Sequence, residues 1–158
     1  MDKIDSIQII RTTSENSDFV SLITALDADL YQRNGEAQLK YRPYNKVDMI
    51  KNVVVIYVEG KPVGCGAFKK FDEESVEVKR MFVYPEMRGR RLAARILQEL
   101  ENWAVEVGYN KAVLETGHKQ TEAIRLYTVA GYSLIDNYGQ YIGMDESICY
   151  QKELRKIL

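Results

Sequence analysis

The sequence predicts a mixed α/β fold: a mostly antiparallel sheet with one parallel strand pair and helices on both faces. Three observations carry this. Val53 to Val83 holds three strand-like runs joined by short turns, the mark of successive hairpins. In the next segment Leu92, Ile96, Leu97, Leu100, Trp103, Ala104 and Val107 share one helical face. Lys111 to Thr116 then resumes a strand, so strand, helix and strand form a crossover unit whose strands run parallel.

Taken in order, Ile7 to Arg11 reads as a short first strand. Ser17 or Asp18 is placed to cap a helix through Phe19, Leu22, Ile23, Leu26 and Leu30. Tyr31 to Asn45 is rich in tyrosine and broken by Gly35 and Pro43, and reads as loop with room for a short helix. Val53 to Glu59 is β-branched, and the turn Glu59-Gly60-Lys61-Pro62 returns the chain through Val63 to Phe71. A second turn at Asp72 leads into Ser75 to Val83, which alternates as a third antiparallel strand. The helix from Leu92 stops at Gly108, where a C-cap glycine belongs. Thr121 to Ala130 is a further amphipathic helix, closed by Gly131. Tyr132 to Asp136 and Ser147 to Leu154 are the last strands, around a loop holding Tyr138 and Tyr141.

The 158 residues suit one domain, taken as 1–158, and 46% apolar content argues against disorder. No apolar run reaches transmembrane length, and the acidic, polar start does not read as a signal peptide. A net charge of −1 argues against a nucleic-acid binder that works by neutralising many phosphates. Cys65 and Cys149, with a single histidine, leave neither a disulfide framework nor a four-ligand zinc set. A cytoplasmic protein with reduced thiols, no metal and no membrane partner is the expectation.

Against that neutral background, Val83 to Ala94 concentrates charge: V-Y-P-E-M-R-G-R-R-L-A-A. A strand end, a proline turn and a glycine lead into a helix whose first N–H groups lack intrahelical acceptors. Such a start holds a phosphate or diphosphate, and Arg88, Arg90, Arg91 and Arg95 can add charge-assisted hydrogen bonds. The plainer reading is a solvated basic patch at an ordinary helix start.

Arg88-Gly89-Arg90-Arg91-Leu92-Ala93 after a strand, with Glu122-Ala-Ile-Arg-Leu-Tyr-Thr-Val-Ala-Gly-Tyr132 in the following helix, resembles the GNAT acetyltransferase superfamily. The resemblance runs from about Ile7 to Leu154. It implies a GNAT-like sheet whose parallel pair forms a cofactor cleft, and acetyl-coenzyme A as co-substrate. It also implies that Arg88, Gly89, Arg90, Arg91, Leu92 and Ala93 hold the pyrophosphate. The family often has a second glycine where this chain has Arg91, whose N–H serves if its backbone is right-handed. Gln120 stands where the family often has an asparagine on the pantetheine arm. The resemblance places Tyr127 close to the coenzyme sulfur and an oxyanion donor in the backbone of Met81, Phe82 and Val83, where the parallel strands splay.

The chemistry these residues would perform is simple. A phenol with reference pKa near 10 can protonate a departing thiolate, which suits Tyr127. On residue types alone Tyr127 reads rather as a core tyrosine sharing a face with Ala123 and Ala130, and the resemblance reverses that preference. A protonated amine cannot attack a thioester, so a base is needed, and Glu77 and Glu115 are the candidates, Glu77 ranked first. Either is also readable as a strand carboxylate paired with a lysine, and Glu115 as a holder of the substrate's cation. His118 sits in a polar turn and is read as incidental. Neither cysteine is paired with a base, so direct transfer is expected rather than an acetyl-enzyme.

Tyr31, Tyr41, Tyr44, Tyr138 and Tyr141 could line an acceptor mouth, or simply pack its rim. The resulting expectation is an N-acetyltransferase acting on a primary amine of a small molecule. Peptide or protein amines are the alternative acceptors, a non-catalytic acyl-coenzyme A sensor is the alternative role, and a homodimer is the assembly the family makes available. A different nucleotide-binding domain is disfavoured, because neither a G-x-x-x-x-G-K-[ST] loop nor a G-x-G-x-x-G fingerprint occurs.

Overall fold

Four consecutive residues, Val53, Val54, Val55 and Ile56, are all fully buried because the sheet they cross is covered on both sides. Val53 and Val55 face a helix at Ser17–Asn34 (α1), while Val54 and Ile56 face a helix at Leu92–Glu106 (α2). That is why the strand Asn52–Val58 (β2) is continuously β-branched rather than alternating with polar residues. In this computed structural model residues 6–34 and 49–154 are described.

Among the described residues seven strands form one sheet. Before β2 comes Ile7–Thr12 (β1); after it come Lys61–Lys70 (β3), Ser75–Val83 (β4), Lys111–Gly117 (β5), Ser133–Ile135 (β6) and Ser147–Glu153 (β7). A third helix, Thr121–Val129 (α3), separates β5 from β6. The spatial order is β1-β2-β3-β4-β5-β7-β6, antiparallel throughout except for the β4–β5 pair. The predicted mixed architecture is therefore the observed one, with β7 inserted between β5 and β6. Among the described residues no helix is long and apolar enough to cross a membrane.

Two details differ from the sequence reading. The side chain that caps α1 is that of Asn16, whose Oδ1 accepts from the Phe19 N–H at 3.0 Å; Asp18 instead accepts from the Tyr57 hydroxyl at 2.6 Å. The helix begins at Ser17, so Asp18 already lies within its first turn, where its carboxylate meets the half-buried Tyr57. Tyr31 lies within α1, which continues to Asn34, so the expected loop does not begin there. The rest of that expected loop, with Tyr41 and Tyr44, falls outside the described residues.

The parallel pair decides where the site lies. Only Ser75–Lys111, Val76–Ala112 and Glu77–Val113 are paired, and beyond them β4 and β5 separate. On its other edge β4 gains one residue against β3: Cys65 pairs with Phe82, but Ala67 pairs with Lys79. Arg80 takes up this bulge with a left-handed φ of 60°. Gly66 lies opposite the bulge because a Cβ there would come within 2.6 Å of the Met81 sulfur and 2.8 Å of Ile96 Cγ2. The absence of a side chain lets α2 lie directly on β3 and brace the bulged strand from below.

Candidate active site

The separating ends of β4 and β5 open a cavity of about 920 Å³ that passes from one face of the sheet to the other. Of the residues predicted from the sequence, Glu77, Met81, Phe82, Val83, Arg88, Gly89, Arg91, Leu92, Ala93, Glu115, Gln120 and Tyr127 all line it. Arg90 does not; it is exposed on the outer side of the loop, as is Arg95 on α2.

At one end lies the loop into α2. The Tyr84 N–H bonds the Val63 carbonyl, a short turn at Pro85–Met87 follows, and α2 begins at Leu92. Arg95 is the first helical residue to reach an intrahelical carbonyl, that of Arg91 at 3.2 Å. The first-turn N–H groups at Leu92, Ala93 and Ala94 precede it and border the cavity. Around Gly89 a Cβ would meet nothing within 4 Å, so the loop leaves open space beside the helix start. This is the geometry of an anion cradle.

Arg91 departs from the expectation of a right-handed backbone. It is the helix N-cap with φ 62° and ψ 22°, in the left-handed region. The chain must reverse sharply between Gly89 and the helix axis, and an L-residue in that conformation carries a strain of about 1–2 kcal/mol. Arg88 also differs from a free anion ligand. Its Nε donates to the Val83 carbonyl at 3.0 Å, one Nη to Glu122 at 3.1 Å, and the other lies 3.7 Å from Asp29. One guanidinium thus ties the end of β4 to α3 and to α1.

Tyr127 projects from α3 into the other wall. It is 5% exposed, packed edge-on against Tyr132 and tilted against Tyr150. Its hydroxyl has no hydrogen-bond partner among the described residues. Burial, with the nearby Glu115 charge, raises its pKa well above the ordinary phenol value, so the proton is retained. Gln120 is the N-cap of α3 but makes no side-chain capping bond.

On the α1 side the two candidate carboxylates differ. Glu77 is 4% exposed; it accepts from the Tyr138 hydroxyl at 2.7 Å on one oxygen and has the Lys79 ammonium at 3.7 Å from the other. Glu115 accepts from the Ser147 hydroxyl at 2.7 Å, and burial raises its pKa to about 7 despite that bond and the nearby Lys79. Continuing the parallel register two residues past Glu77–Val113 sets Lys79 at the level of Glu115 across the opening. Lys79 was not singled out from the sequence, although its i, i+2 relation to Glu77 on a strand puts both on one face.

The remaining candidates fall around this centre. Tyr141 lines the cavity, and Tyr138 packs against it and against Phe71. Asn137 fixes this late segment by donating to the Tyr141 and Met144 carbonyls. Tyr31 is exposed on α1. The His118 Nδ1 lies 3.2 Å from the Glu146 carbonyl at the rim. Cys65 and Cys149 are buried, and burial pushes their thiols up to about 12 and about 11, leaving no thiolate at neutral pH. Beyond the bulge β4 has no pairing with β5, and Met81, Phe82 and Val83 line the cavity between the two strands.

Comparison with known proteins agrees with this arrangement. The model of the acetyltransferase (GNAT) family matches residues 20–132. An IAA acetyltransferase from Azospirillum brasilense is 34% identical over 140 residues, spanning 86% of this chain and 90% of that protein. A crystal structure from Klebsiella pneumoniae, assigned as an acyl-CoA N-acyltransferase, superposes with a TM-score of 0.78 at 30% identity, covering 94% of this chain and 98% of the other. A GNAT acetyltransferase from Elizabethkingia anophelis with acetyl-CoA bound shares the fold at a TM-score of 0.67 and 17% identity, over 96% and 100% of the two chains. With sequence, fold and site in accord, the chain belongs to the GNAT acetyltransferase family.

Proposed function

We propose that this protein transfers an acetyl group from acetyl-coenzyme A directly to a primary amine of a small molecule. The observation that carries the reading is that Tyr127 and Glu115 line one cavity, Tyr127 from the α2–α3 side and Glu115 from the α1 side, with the helix cradle at one end. The cradle's N–H groups and open glycine loop fit a diphosphate, and the cavity connects that end to the tyrosine. The Azospirillum relative, named an IAA acetyltransferase, supports acetyl transfer.

When bound, acetyl-coenzyme A supplies a thioester carbonyl that a neutral amine can attack. Glu115, with a proton affinity near neutrality, takes a proton from the attacking amine as the C–N bond forms. N–H groups of Met81, Phe82 or Val83 stabilise the charge on the carbonyl oxygen. Tyr127 gives its proton to the sulfur as the C–S bond breaks. Glu115 replaces Glu77 as first choice for the base, because both Glu77 oxygens are already engaged by Tyr138 and Lys79.

Thermal stabilisation by acetyl-coenzyme A, set against ATP and NAD, tests the cradle. A ligand at one hundred times its Kd adds about 2.7 kcal/mol. Stabilisation by ATP and not by acetyl-coenzyme A would overturn the reading. Thiol release across a panel of small amines then tests transfer; tight coenzyme binding with no turnover on any amine would favour a sensor.

A further inference from the structure

Lys79 is a buried lysine in the wall of the cavity that the reaction above does not use; burial lowers its pKa, and the Glu77 charge opposes that and favours the ammonium. Its place is set by the sheet. Ser75, Glu77 and Lys79 alternate onto the α1 side of β4, and the last parallel pair is Glu77 with Val113. Two residues further in register, where the strands have parted, Lys79 falls at the level of Glu115, and both side chains line the gap. The Glu77 carboxylate lies 3.7 Å from its ammonium, and Tyr138 holds the other Glu77 oxygen at 2.7 Å. The chain Tyr138–Glu77–Lys79 therefore runs from the late segment to the opening and ends opposite Glu115.

We propose that Lys79 is a positioning residue of the transfer site: anchored by Glu77, its ammonium faces Glu115 across the parted strands and holds that carboxylate charged and oriented for the incoming amine. This rests on the reading of Glu115 as base. The other groups around Glu115 do not supply a cation. Glu77 on β4 is anionic, β7 offers the Ser147 hydroxyl and the Cys149 thiol, and α3 and the late segment offer the phenols of Tyr127 and Tyr141. Against burial, Lys79 and the Ser147 hydroxyl are what favour the ionised form.

The test is the acid limb of the kcat/KM profile, measured with acetyl-coenzyme A and an accepted amine. Removing the ammonium makes Glu115 easier to protonate, so in Lys79→Met the limb moves to higher pH by about one unit or more. Lys79→Arg keeps the cation but cannot act as a base, so it restores the wild-type limb and part of the lost rate. Thermal melting checks folding, and Lys79→Gln substitutes if the methionine variant does not fold.

A limb that Glu115→Gln abolishes but Lys79→Met leaves in place overturns the role of Lys79 alone. Equal loss of turnover in Lys79→Met and Lys79→Arg also overturns it, because it would make the lysine the base itself or a purely structural group. A limb that persists in Glu115→Gln overturns the base assignment, and the proposal with it.

Discussion

Ser147 donates its hydroxyl to Glu115 at 2.7 Å from β7, the strand that pairs with β5 on the side away from the opening. The bond favours the charged carboxylate, yet burial outweighs it and the pKa settles at about 7. Glu115 thus binds a proton more tightly when folded than its reference value of 4.5. The folded state holds more protons between those values, so this group lowers stability as pH rises from about 4.5 to about 7. Glu115→Gln should therefore be more stable than wild type by on the order of 2 kcal/mol above pH 7, with the advantage fading towards pH 4.5. Urea unfolding at several pH values checks this. Turnover in the same variant should fall by about 10²-fold or more.

Tyr127 presents a hydroxyl that supports no other part of the fold. Tyr127→Phe should keep the wild-type melting temperature, with a change within about 0.5 kcal/mol. Its kcat should fall by about 10²-fold while acetyl-coenzyme A affinity is retained. Normal turnover in a thiol-release assay would remove Tyr127 from the acid role.

Gly66 is required by space rather than by backbone conformation. Gly66→Ala drives a methyl group into the Met81 sulfur, Ile96 and Leu100, all within 2.9 Å. Overpacking of this kind costs about 1–3 kcal/mol. Because the clash falls on the bulge of β4, activity should drop at temperatures where the variant is still folded, which circular dichroism and turnover measured together would show.

Arg91 offers the opposite experiment. Glycine has no Cβ penalty at φ 62°, so Arg91→Gly should raise stability by roughly 0.5–1 kcal/mol after its own entropy cost in the unfolded chain. Calorimetry with acetyl-coenzyme A would then separate the side chain's charge from its backbone: weaker binding assigns the guanidinium a part in holding the anion, and unchanged binding leaves that to the helix start.

Much of this was legible from local pattern. The β-branched run of β2, the turn at Glu59-Gly60 and the apolar face of α2 are short-range signals whose meaning does not depend on distant neighbours. So is the motif pair around Gly89 and Tyr127, since a strand–turn–helix unit and the next helix each carry their own punctuation. Asn16 was missed as the cap because Ser17 and Asp18 are also good cap residues, and the helix starts earlier than either placement allows.

By itself, then, the sequence determined the order of the elements, the mixed sheet and the glycine-led helix start proposed as the anion cradle. The tertiary structure alone decided how the strands part after Glu77 and Val113, that Arg80 bulges where Gly66 leaves room, and that Arg88 is spent on Val83, Glu122 and Asp29. It also linked Tyr138, Glu77 and Lys79 in one chain of contacts, with Glu77, Lys79 and Glu115 lining the same cavity. The physical reason is range. Periodicity and turn chemistry act over a few residues, whereas proton affinity and ion pairing depend on burial and on groups far apart along the chain, as Tyr138 lies 61 positions from Glu77.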